Sequence, residues 1–337
     1  RGYGRPTQVL SLAADHPTPT LTTPSQVRIR IHAASLAKGD WHLVTGTPYL
    51  MRLAFGLRGP KRPVPGLDVA GVVESVGTAV TRLQVGDAVY GELEIGDGAF
   101  AAYAVTEESK LARKPRSLTF AEAAAVPTSG ITALQMLRDA GGLTLASGAE
   151  KTVLIVGAAG GVGSFAVSVA KALGAKTVVA VSSGRKADAV RSLGADEVVD
   201  YTDPTTGDWT ASTHRGRYDV IVDTASPYTL GRSRRALRPG GTYVAVGGTM
   251  SPLTGPLKRM LKMAIVGFFT RKRMVAPIAA ARATDLDQLR EWIEAGHVTP
   301  LVTDRVSLAE TPRALEALGS GHGLGKTVVA IHDADAT

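Results

Sequence analysis

The chain has 337 residues with 44% hydrophobic content and a net charge of +8, and because this length exceeds the usual size of one hydrophobic core, two domains are expected. It contains no cysteine, which excludes disulfide bonds, a thiol nucleophile, cysteine-ligated zinc and iron–sulfur clusters. No apolar stretch reaches the length of a membrane span and no secretory signal is visible, so a cytoplasmic location is expected.

Residues 1 to about 125 are predicted to be all β. Apolar and polar side chains alternate along 27–33, with His32 on the polar side, as in a strand with one solvated face. Residues 69–76 and 88–90 are further strand candidates, and glycines separate them. Short strands punctuated by glycine predict a small barrel.

The segment 152–175 combines a buried strand, a glycine-rich turn and an amphipathic helix. Residues 153–156 are aliphatic, as in a strand covered on both faces, and apolar residues then recur at helical spacing from Val162 to Leu173. Between them, the turn from Gly157 to Gly163 lets the backbone approach a pyrophosphate and directs helix N–H groups at its charge. The pattern predicts a dinucleotide-binding unit.

The second strand of this unit, 177–181, indicates which dinucleotide is bound. An NAD site usually places an acidic residue about 20 residues past the glycines, whereas none occurs from 151 to 187. The strand leads instead into Ser182, Ser183, Gly184, Arg185 and Lys186, whose hydroxyls and cations suit a 2′-phosphate. The sequence therefore favours NADPH. The alternative is that Arg185 and Lys186 are solvated residues that open the next helix.

Strand and helix continue to alternate beyond this unit. Candidate strands at 197–199, 219–223, 242–246 and 274–278 extend a parallel sheet. One more strand, 327–331, is expected to return to the first domain.

Residues 251–283 concentrate the positive charge of the chain. They include seven basic residues and no acidic one, interleaved with apolar side chains. This pattern is typical of a basic amphipathic element at a lipid surface, so peripheral membrane contact is one hypothesis. The alternative is a lid whose apolar face covers the substrate cleft. No aromatic platform accompanies the charge, so nucleic-acid binding is not expected. The basic residues are Lys258, Arg259, Lys262, Arg271, Lys272, Arg273 and Arg282.

Short motifs follow one another along the chain in a specific order. They are Gly66-Leu67-Asp68-Val69-Ala70-Gly71-Val72-Val73, Val76-Gly77, Val85-Gly86-Asp87-Ala88-Val89, Ala124-Ala125-Val126-Pro127, Thr132-Ala133, Ala158-Ala159-Gly160-Gly161-Val162-Gly163, Leu193-Gly194-Ala195-Asp196, Arg238-Pro239-Gly240-Gly241 and Gly325-Lys326. This series resembles the zinc-independent medium-chain dehydrogenase/reductase superfamily, in its quinone oxidoreductase branch, over nearly the whole chain.

The resemblance implies an α/β fold with a GroES-like β-barrel catalytic domain and a Rossmann domain built on a doubly wound parallel sheet. Residues 1–125, completed by 297–337, would form the GroES-like domain, and residues 126–296 the Rossmann domain. NADPH would lie in the cleft between them. The resemblance also implies a homodimer.

The same superfamily contains zinc alcohol dehydrogenases, in which cysteine and histidine hold the metal. Here the usual His-Glu pair is replaced by Leu67-Asp68, and the chain has no cysteine, so no metal is expected. Without a Lewis acid, reduction of an unactivated ketone is hard. The expected substrate is therefore a small electrophile, a quinone or an α,β-unsaturated carbonyl (enone).

The segment 34–42, with Tyr49 shortly after it, resembles the stretch that borders nicotinamide and substrate in this superfamily. The resemblance makes His42 and Tyr49 the catalytic hydrogen-bond donors for the oxygen that gains charge. Asp40 is placed with them, as an anchor of the loop rather than a proton donor. The alternatives are a rim histidine for His42 and an apolar wall with a solvated hydroxyl for Tyr49.

The resemblance also assigns residues to each part of the cofactor. The pyrophosphate would face the glycine turn, the 2′-phosphate end would face the second and third strands, and the nicotinamide would lie near a domain junction and a strand end. In that order the residues are Gly160, Gly161, Val162 and Gly163, then Ser183, Arg185 and Tyr201, then Thr128 and Gly247. Tyr201 has an alternative as a packing aromatic, and Gly247 as a plain turn.

Two positions depart from the superfamily's pattern. Ala37 and Thr224 stand where asparagine is common, and alanine cannot hydrogen-bond a substrate. Two function classes therefore stay open. One is an NADPH-dependent reductase of quinones or enones, and the other is a catalytically weak NADPH-binding module that acts through a membrane surface or a protein partner.

Overall fold

The computed structural model describes residues 2–94, 98–225, 229–247, 257–268, 272–321 and 323–332. Within 257–268 the description of side chains covers 261–265 and 267. The strands of the described residues are β1 Gln26–Ser35, β2 Asp68–Val76, β3 Ala88–Glu92, β4 Tyr103–Glu107, β5 Leu111–Arg113, β6 Thr152–Val156, β7 Thr177–Ser182, β8 Glu197–Asp200, β9 Tyr218–Asp223, β10 Leu237–Ala245, β11 Arg273–Val275, β12 Val302–Ser307 and β13 Lys326–Ala330.

The helices of the same residues are α1 Pro6–Val9, α2 Lys38–Thr45, α3 Arg52–Phe55, α4 Phe120–Ala124, α5 Pro127–Gln135, α6 Leu145–Gly148, α7 Gly161–Ala172, α8 Ala187–Ser192, α9 Leu230–Ala236, α10 Leu257–Phe268, α11 Ala283–Glu294 and α12 Thr311–Gly319. Two short 3-10 turns, Tyr49–Met51 and Gly184–Lys186, carry residues of the candidate site. None of the described helices is both long and apolar enough to cross a membrane.

The chain divides into two compact units. The first unit comprises Arg1–Ile131, Ala280–Ala295 and Pro300–Thr337, and the second comprises Thr132–Ala279 and Gly296–Thr299. This division differs from the boundaries drawn from the sequence at 125 and 296, mainly in the place of residues 280–295.

The first unit is built on a seven-stranded sheet in the order β12-β13-β1-β2-β3-β5, with β4 also paired to β1. Strand β1 bends at two register shifts, which lets it pair with β2, β4 and β13. Val27, Ile29 and Ile31 are fully buried, as their alternation predicts. His32, predicted on the solvated face, is instead buried because its ring stacks on Phe120 at 4.5 Å. The GroES-like fold expected for this part is confirmed, but the prediction that residues 1 to about 125 are all β is wrong, because α1, α2, α3 and α4 lie among them.

Helix α11 is held in the first unit by contacts along its length. Tyr90 Oη donates to Leu286 O at 2.6 Å, and Arg116 N donates to a carboxylate oxygen of Glu294 at 2.9 Å. A Cβ atom placed on Gly130 would lie 3.0 Å from Leu289 Cδ1. These long-range contacts explain why residues 280–295 group with the barrel, although they were assigned from the sequence to the nucleotide-binding domain.

The second unit contains a six-stranded parallel sheet in the order β11-β10-β9-β6-β7-β8. Strand β6 lies between β7 and β9 and is buried at all five positions, which agrees with its continuous aliphatic run. Because the order reverses direction at β6, the sheet is doubly wound, and the Rossmann fold expected from the sequence is confirmed. The strand predicted at 274–278 is shorter, and it ends two residues before Pro277, which cannot donate to a ladder.

Helix α10 carries the described part of the basic segment. Met263 is buried in a core cluster that includes Met274, whereas Leu261 and Ile265 are 63% and 52% exposed. Lys262 between them is also exposed. Residues 251–256 and 269–271, and the side chains of Lys258 and Arg259, lie outside the described residues. The structure therefore describes only part of the segment to which the lid and membrane hypotheses refer.

Candidate active site

The glycine turn between β6 and α7 forms a backbone cradle in the second unit. Gly157 has φ +78°, and a Cβ on it would lie 2.4 Å from Thr224 Oγ1. A Cβ on Gly163 would lie 2.1 Å from Gly157 O. Gly160 is the N-cap of α7 and, as a glycine, provides no side-chain cap for this helix start. The cradle thus presents the first N–H groups of a helix, and the predicted residues Gly160, Gly161, Val162 and Gly163 all lie in it.

Thr224 supports the cradle from β9. Its Oγ1 donates to Val156 O at 2.8 Å and its N–H donates to the same oxygen at 3.1 Å. The threonine that replaces the superfamily's asparagine is therefore used to fix the end of β6. Two residues after β10, Gly247 has φ +69°, and a Cβ added to it would meet none of the described residues within 4 Å.

The residues predicted for the 2′-phosphate end meet at the carboxyl ends of β7 and β8. Ser183 is 5% exposed and Arg185 lies on the 3-10 turn that follows. Tyr201 N donates to Ser182 O at 3.1 Å, so Tyr201 lies beside this turn, and it is 53% exposed. The structure therefore brings Ser183, Arg185 and Tyr201 to one place.

Asp200 belongs to the same place and was missed by the sequence argument. It is the last residue of β8, paired in register with Ser182 of β7. A Cβ on Gly184 would lie 2.3 Å from Asp200 Oδ2. The usual acid of such a site lies at the end of the second strand, where this sequence has none. The available signal was an aspartate at the end of the third strand, which a parallel sheet places next to the second.

Helix α2 of the first unit carries Asp40 and His42. Asp40 is fully buried and its Oδ2 accepts a hydrogen bond from Ala37 N at 2.8 Å, which fixes the start of the helix. Burial raises the pKa of Asp40 to about 7, against the hydrogen bond from Ala37. The geometry is that of an anchor, because Oδ2 is occupied by the backbone.

His42 is engaged by the loop after α2. Its Nδ1 lies 2.7 Å from Thr47 O, and since a carbonyl only accepts, Nδ1 carries the proton. Burial lowers the pKa of His42, which favours the neutral ring. Nε2 of that tautomer is an acceptor. The donor role predicted for His42 therefore requires the doubly protonated ring.

Tyr49 lies on the 3-10 turn after this loop. It is 46% exposed, and the guanidinium of Arg52 lies 4.6 Å from the centre of its ring. Arg52 also lies 4.6 Å from the ring of Tyr3 and donates from Nε to Gly46 O at 2.9 Å. The side chain of Tyr49 is thus positioned by a cation held between two aromatic rings.

Asp68 connects several elements of the first unit through buried hydrogen bonds. Its Oδ1 accepts from Thr128 N at 2.7 Å, and its Oδ2 accepts from Ser35 Oγ at 2.8 Å and from Lys326 Nζ at 3.0 Å. Lys326 also donates to Leu36 O at 2.8 Å. Asp68 thereby fixes the start of α5, where Thr128 lies. Among the residues that the structure describes, the buried Oγ1 atom of Thr128 has no hydrogen-bond partner.

Glu92 adds a further carboxyl group near Asp68. It faces Asp68 in the register of β2 and β3. Burial raises the pKa of Glu92 to about 7, and the charge of Asp68 adds to this shift. Within the residues that the structure describes, no group of three His, Asp or Glu side chains has an arrangement suited to a metal ion.

Comparison with known proteins places this geometry in context. Residues 23–116 match the family described as alcohol dehydrogenase GroES-like domain, and residues 193–329 match the family described as zinc-binding dehydrogenase. The chain is 33% identical to the chloroplastic quinone-oxidoreductase QR1 of Triphysaria versicolor over 309 residues, which are 90% of this chain and 89% of that protein.

A second relative and a solved structure are similar to this chain over most of its length. The chain is 33% identical to the 2-methylene-furan-3-one reductase of Solanum lycopersicum over 334 residues, 95% of this chain and 75% of that protein. The solved structure of the quinone oxidoreductase from Coxiella burnetii superposes with a TM-score of 0.82 at 27% identity, covering 98% of this chain and 97% of the other.

Proposed function

Because the chain belongs to the medium-chain dehydrogenase/reductase superfamily, in its quinone oxidoreductase-like branch, we propose that it is an NADPH-dependent, metal-free oxidoreductase that reduces a quinone or an enone. The observation that carries the proposal is the cradle at the start of α7. There a Cβ on Gly163 would lie 2.1 Å from Gly157 O, so only glycine fits, and the open backbone suits a pyrophosphate.

Each unit by itself carries groups that suit one part of a nicotinamide dinucleotide. The uncapped start of α7 offers N–H groups to the pyrophosphate. A buried hydroxyl without a partner costs free energy, and a polar group of the nicotinamide would satisfy Thr128 Oγ1. Ser183 and Arg185 would hold the 2′-phosphate. NADPH, when bound, supplies the hydride.

The protein's own part in the reaction is orientation and hydrogen bonding. Tyr49 would donate its hydroxyl proton in a hydrogen bond to the acceptor oxygen as that oxygen gains charge. His42 would do so only when doubly protonated, because its Nδ1 proton is engaged by Thr47 O. Asp40 and Asp68 would keep α2 and the start of α5 in place. Such fixed geometry contributes to rate by orientation.

The proposal of a metal-free mechanism rests on which metal-ligating residue types the sequence lacks. There is no cysteine, and Leu67-Asp68 replaces the His-Glu pair of the zinc enzymes. Asp68 is already bonded to Thr128, Ser35 and Lys326. An electrophilic quinone or enone needs no Lewis acid, and the names of the relatives support this substrate class.

The first test is oxidation of NADPH, followed by absorbance, with a small quinone as acceptor and a metal chelator present. We expect saturable turnover that the chelator leaves unchanged. Gly163→Ala should raise the KM for NADPH more than about tenfold, since the added Cβ displaces the cradle backbone. Gly231→Ala is the matched control, because none of the described residues lies within 4 Å of a Cβ placed on that helical glycine.

Each outcome separates the alternatives. Inhibition by the chelator would contradict the metal-free mechanism. Tight NADPH binding without turnover would favour the binding module that acts through a membrane surface or a partner. If circular dichroism shows that both alanine variants are folded and their KM values for NADPH are equal, the cradle is not part of the cofactor site.

A further inference from the structure

Asp200 places a fixed negative charge beside the turn that is proposed to hold the 2′-phosphate. Its Oδ1 accepts hydrogen bonds from Thr202 N at 2.9 Å and Thr202 Oγ1 at 2.6 Å. These bonds lower the pKa of Asp200, so the carboxylate is ionised at neutral pH. Its Oδ2 is directed to Gly184, where it leaves no room for a Cβ.

The carboxylate lies beside the end of the second strand, where the acid that binds the adenosine ribose usually stands in such a sheet. Ligands of doubly wound sheets lie outside the carboxyl ends of the strands, next to the glycine turn. Strands β7 and β8 end side by side at Ser182 and Asp200. The usual acidic residue is missing at the end of β7, but a carboxylate reaches the same turn from β8.

The turn therefore holds groups that favour opposite ligands. Arg185 and Lys186 are cationic. The pKa of Lys186 is lowered, first by burial and second by the nearby charge of Arg185, so the two cations lie close together. These cations favour a phosphate. A carboxylate disfavours a phosphate by charge repulsion and accepts a hydrogen bond from a free ribose hydroxyl.

We propose that Asp200 is a specificity-determining residue for the cofactor, one that weakens binding of the 2′-phosphate of NADPH and accepts a hydrogen bond from the ribose hydroxyl of NADH. The proposal rests on the proposed function only in requiring the dinucleotide site. If this is so, the protein prefers NADPH over NADH less strongly than it would with Ser183 and Arg185 but without Asp200.

The test measures binding of cofactor fragments, so that it does not depend on catalysis. Isothermal titration calorimetry is carried out with 2′,5′-ADP and with 5′-AMP, which differ only in the 2′-phosphate. Asp200→Asn keeps an oxygen for Thr202 and removes the charge. We expect it to lower the Kd of 2′,5′-ADP by about three- to tenfold, the size of an ordinary charge interaction at a protein surface, while the Kd of 5′-AMP stays the same or rises.

The matched control is Glu197→Gln, which removes one negative charge at the other end of the same strand, where Glu197 pairs with Arg217. It should leave the ratio of the two Kd values unchanged. The effect of Asp200→Asn should also shrink at high salt, because screening weakens the repulsion.

The outcomes are distinct. An unchanged ratio in Asp200→Asn, or an equal change in Glu197→Gln, would overturn the assignment of Asp200. Failure of the wild type to bind either fragment would instead contradict the proposed function. If Asp200→Asn does not fold, Asp200→Ser, which also keeps an acceptor for Thr202, is measured against the same expectation.

Discussion

At the scale of single residues, the first unit is marked by three buried carboxyl groups near the start of α2, those of Asp40, Asp68 and Glu92. Asp68 has a cationic partner in Lys326, and both are almost fully buried. Asp40 and Glu92 have pKa values raised to about 7, first because of burial. Burial takes a carboxylate out of water, and the cost in free energy falls when the group takes up a proton. At neutral pH, Asp40 therefore accepts the hydrogen bond from Ala37 N only in part as an anion.

This arrangement predicts a pH dependence of stability. Unfolded Asp40 ionises near pH 4, whereas folded Asp40 keeps its proton up to about pH 7. Between these values the unfolded state binds fewer protons, so the free energy of unfolding should fall as pH rises from about 4 to about 7 and then level off. Asp40→Asn keeps an acceptor for Ala37 N and should reduce this fall, by on the order of 3 kcal/mol between pH 5 and pH 8.

Urea unfolding of the wild type and Asp40→Asn at several pH values from 5 to 8 would measure this difference. Glu74→Gln is the control, because Glu74 is exposed on β2 and paired with Arg28. Parallel pH profiles for the wild type and Asp40→Asn would show that Asp40 is not the titrating group.

Single elements differ in how far local sequence accounts for them. The unit β6–α7 follows directly from its aliphatic run and its glycines. Helix α10 is amphipathic in an unusual sense, because Met263 is buried while Leu261 and Ile265 are exposed. Exposed apolar side chains beside Lys262 are complementary to an anionic lipid surface, and they also suit a lid.

A prediction for α10 follows from the lipid hypothesis. Lys262→Glu combined with Ile265→Glu should reduce sedimentation with vesicles that contain anionic phospholipid by at least about fivefold, since each basic residue contributes about 1 kcal/mol at such a surface. The matched control, Lys176→Glu with Leu145→Glu, makes the same charge change at exposed positions of the second unit. If wild type, variant and control sediment equally, the membrane contact is wrong and the lid is favoured.

At the scale of the whole molecule, strands from early and late parts of the chain pair in the first unit. β13 pairs with β1, with Ala33 opposite Ala330, and Lys326 bonds Asp68 across 258 positions of sequence. The second unit is formed almost entirely by the intervening residues 132–279. Its sheet ends at β11 and β8 among the described strands, and an edge strand of this kind can pair with another chain.

We predict a homodimer, as the resemblance to the superfamily implies. Sedimentation equilibrium should give twice the chain mass at micromolar concentration, with dissociation only on strong dilution. A mass equal to one chain at all concentrations up to about 100 μM would contradict the dimer, since stable interfaces of ordinary size bind more tightly than that.

The sequence by itself determined the fold class, the glycine cradle and the superfamily. Gly157 and Gly163 are required by local backbone geometry, and β6 and α7 by the period of their apolar residues. Such requirements act over a few residues, so they can be recognised in the linear chain. The roles of His42, Tyr49, Asp40, Thr128 and the 2′-phosphate residues stay predictions.

Only the tertiary structure decided which distant groups meet. It placed Asp200 against Gly184, Lys326 against Asp68, and α11 against Tyr90. It also fixed the proton of His42 on Nδ1 through Thr47 O. These contacts depend on strand register and burial, which are settled by the packing of the whole chain. For most of these contacts the local pattern carries no signal; the exception is Asp200, whose place at the end of a predicted strand can be recognised in the sequence.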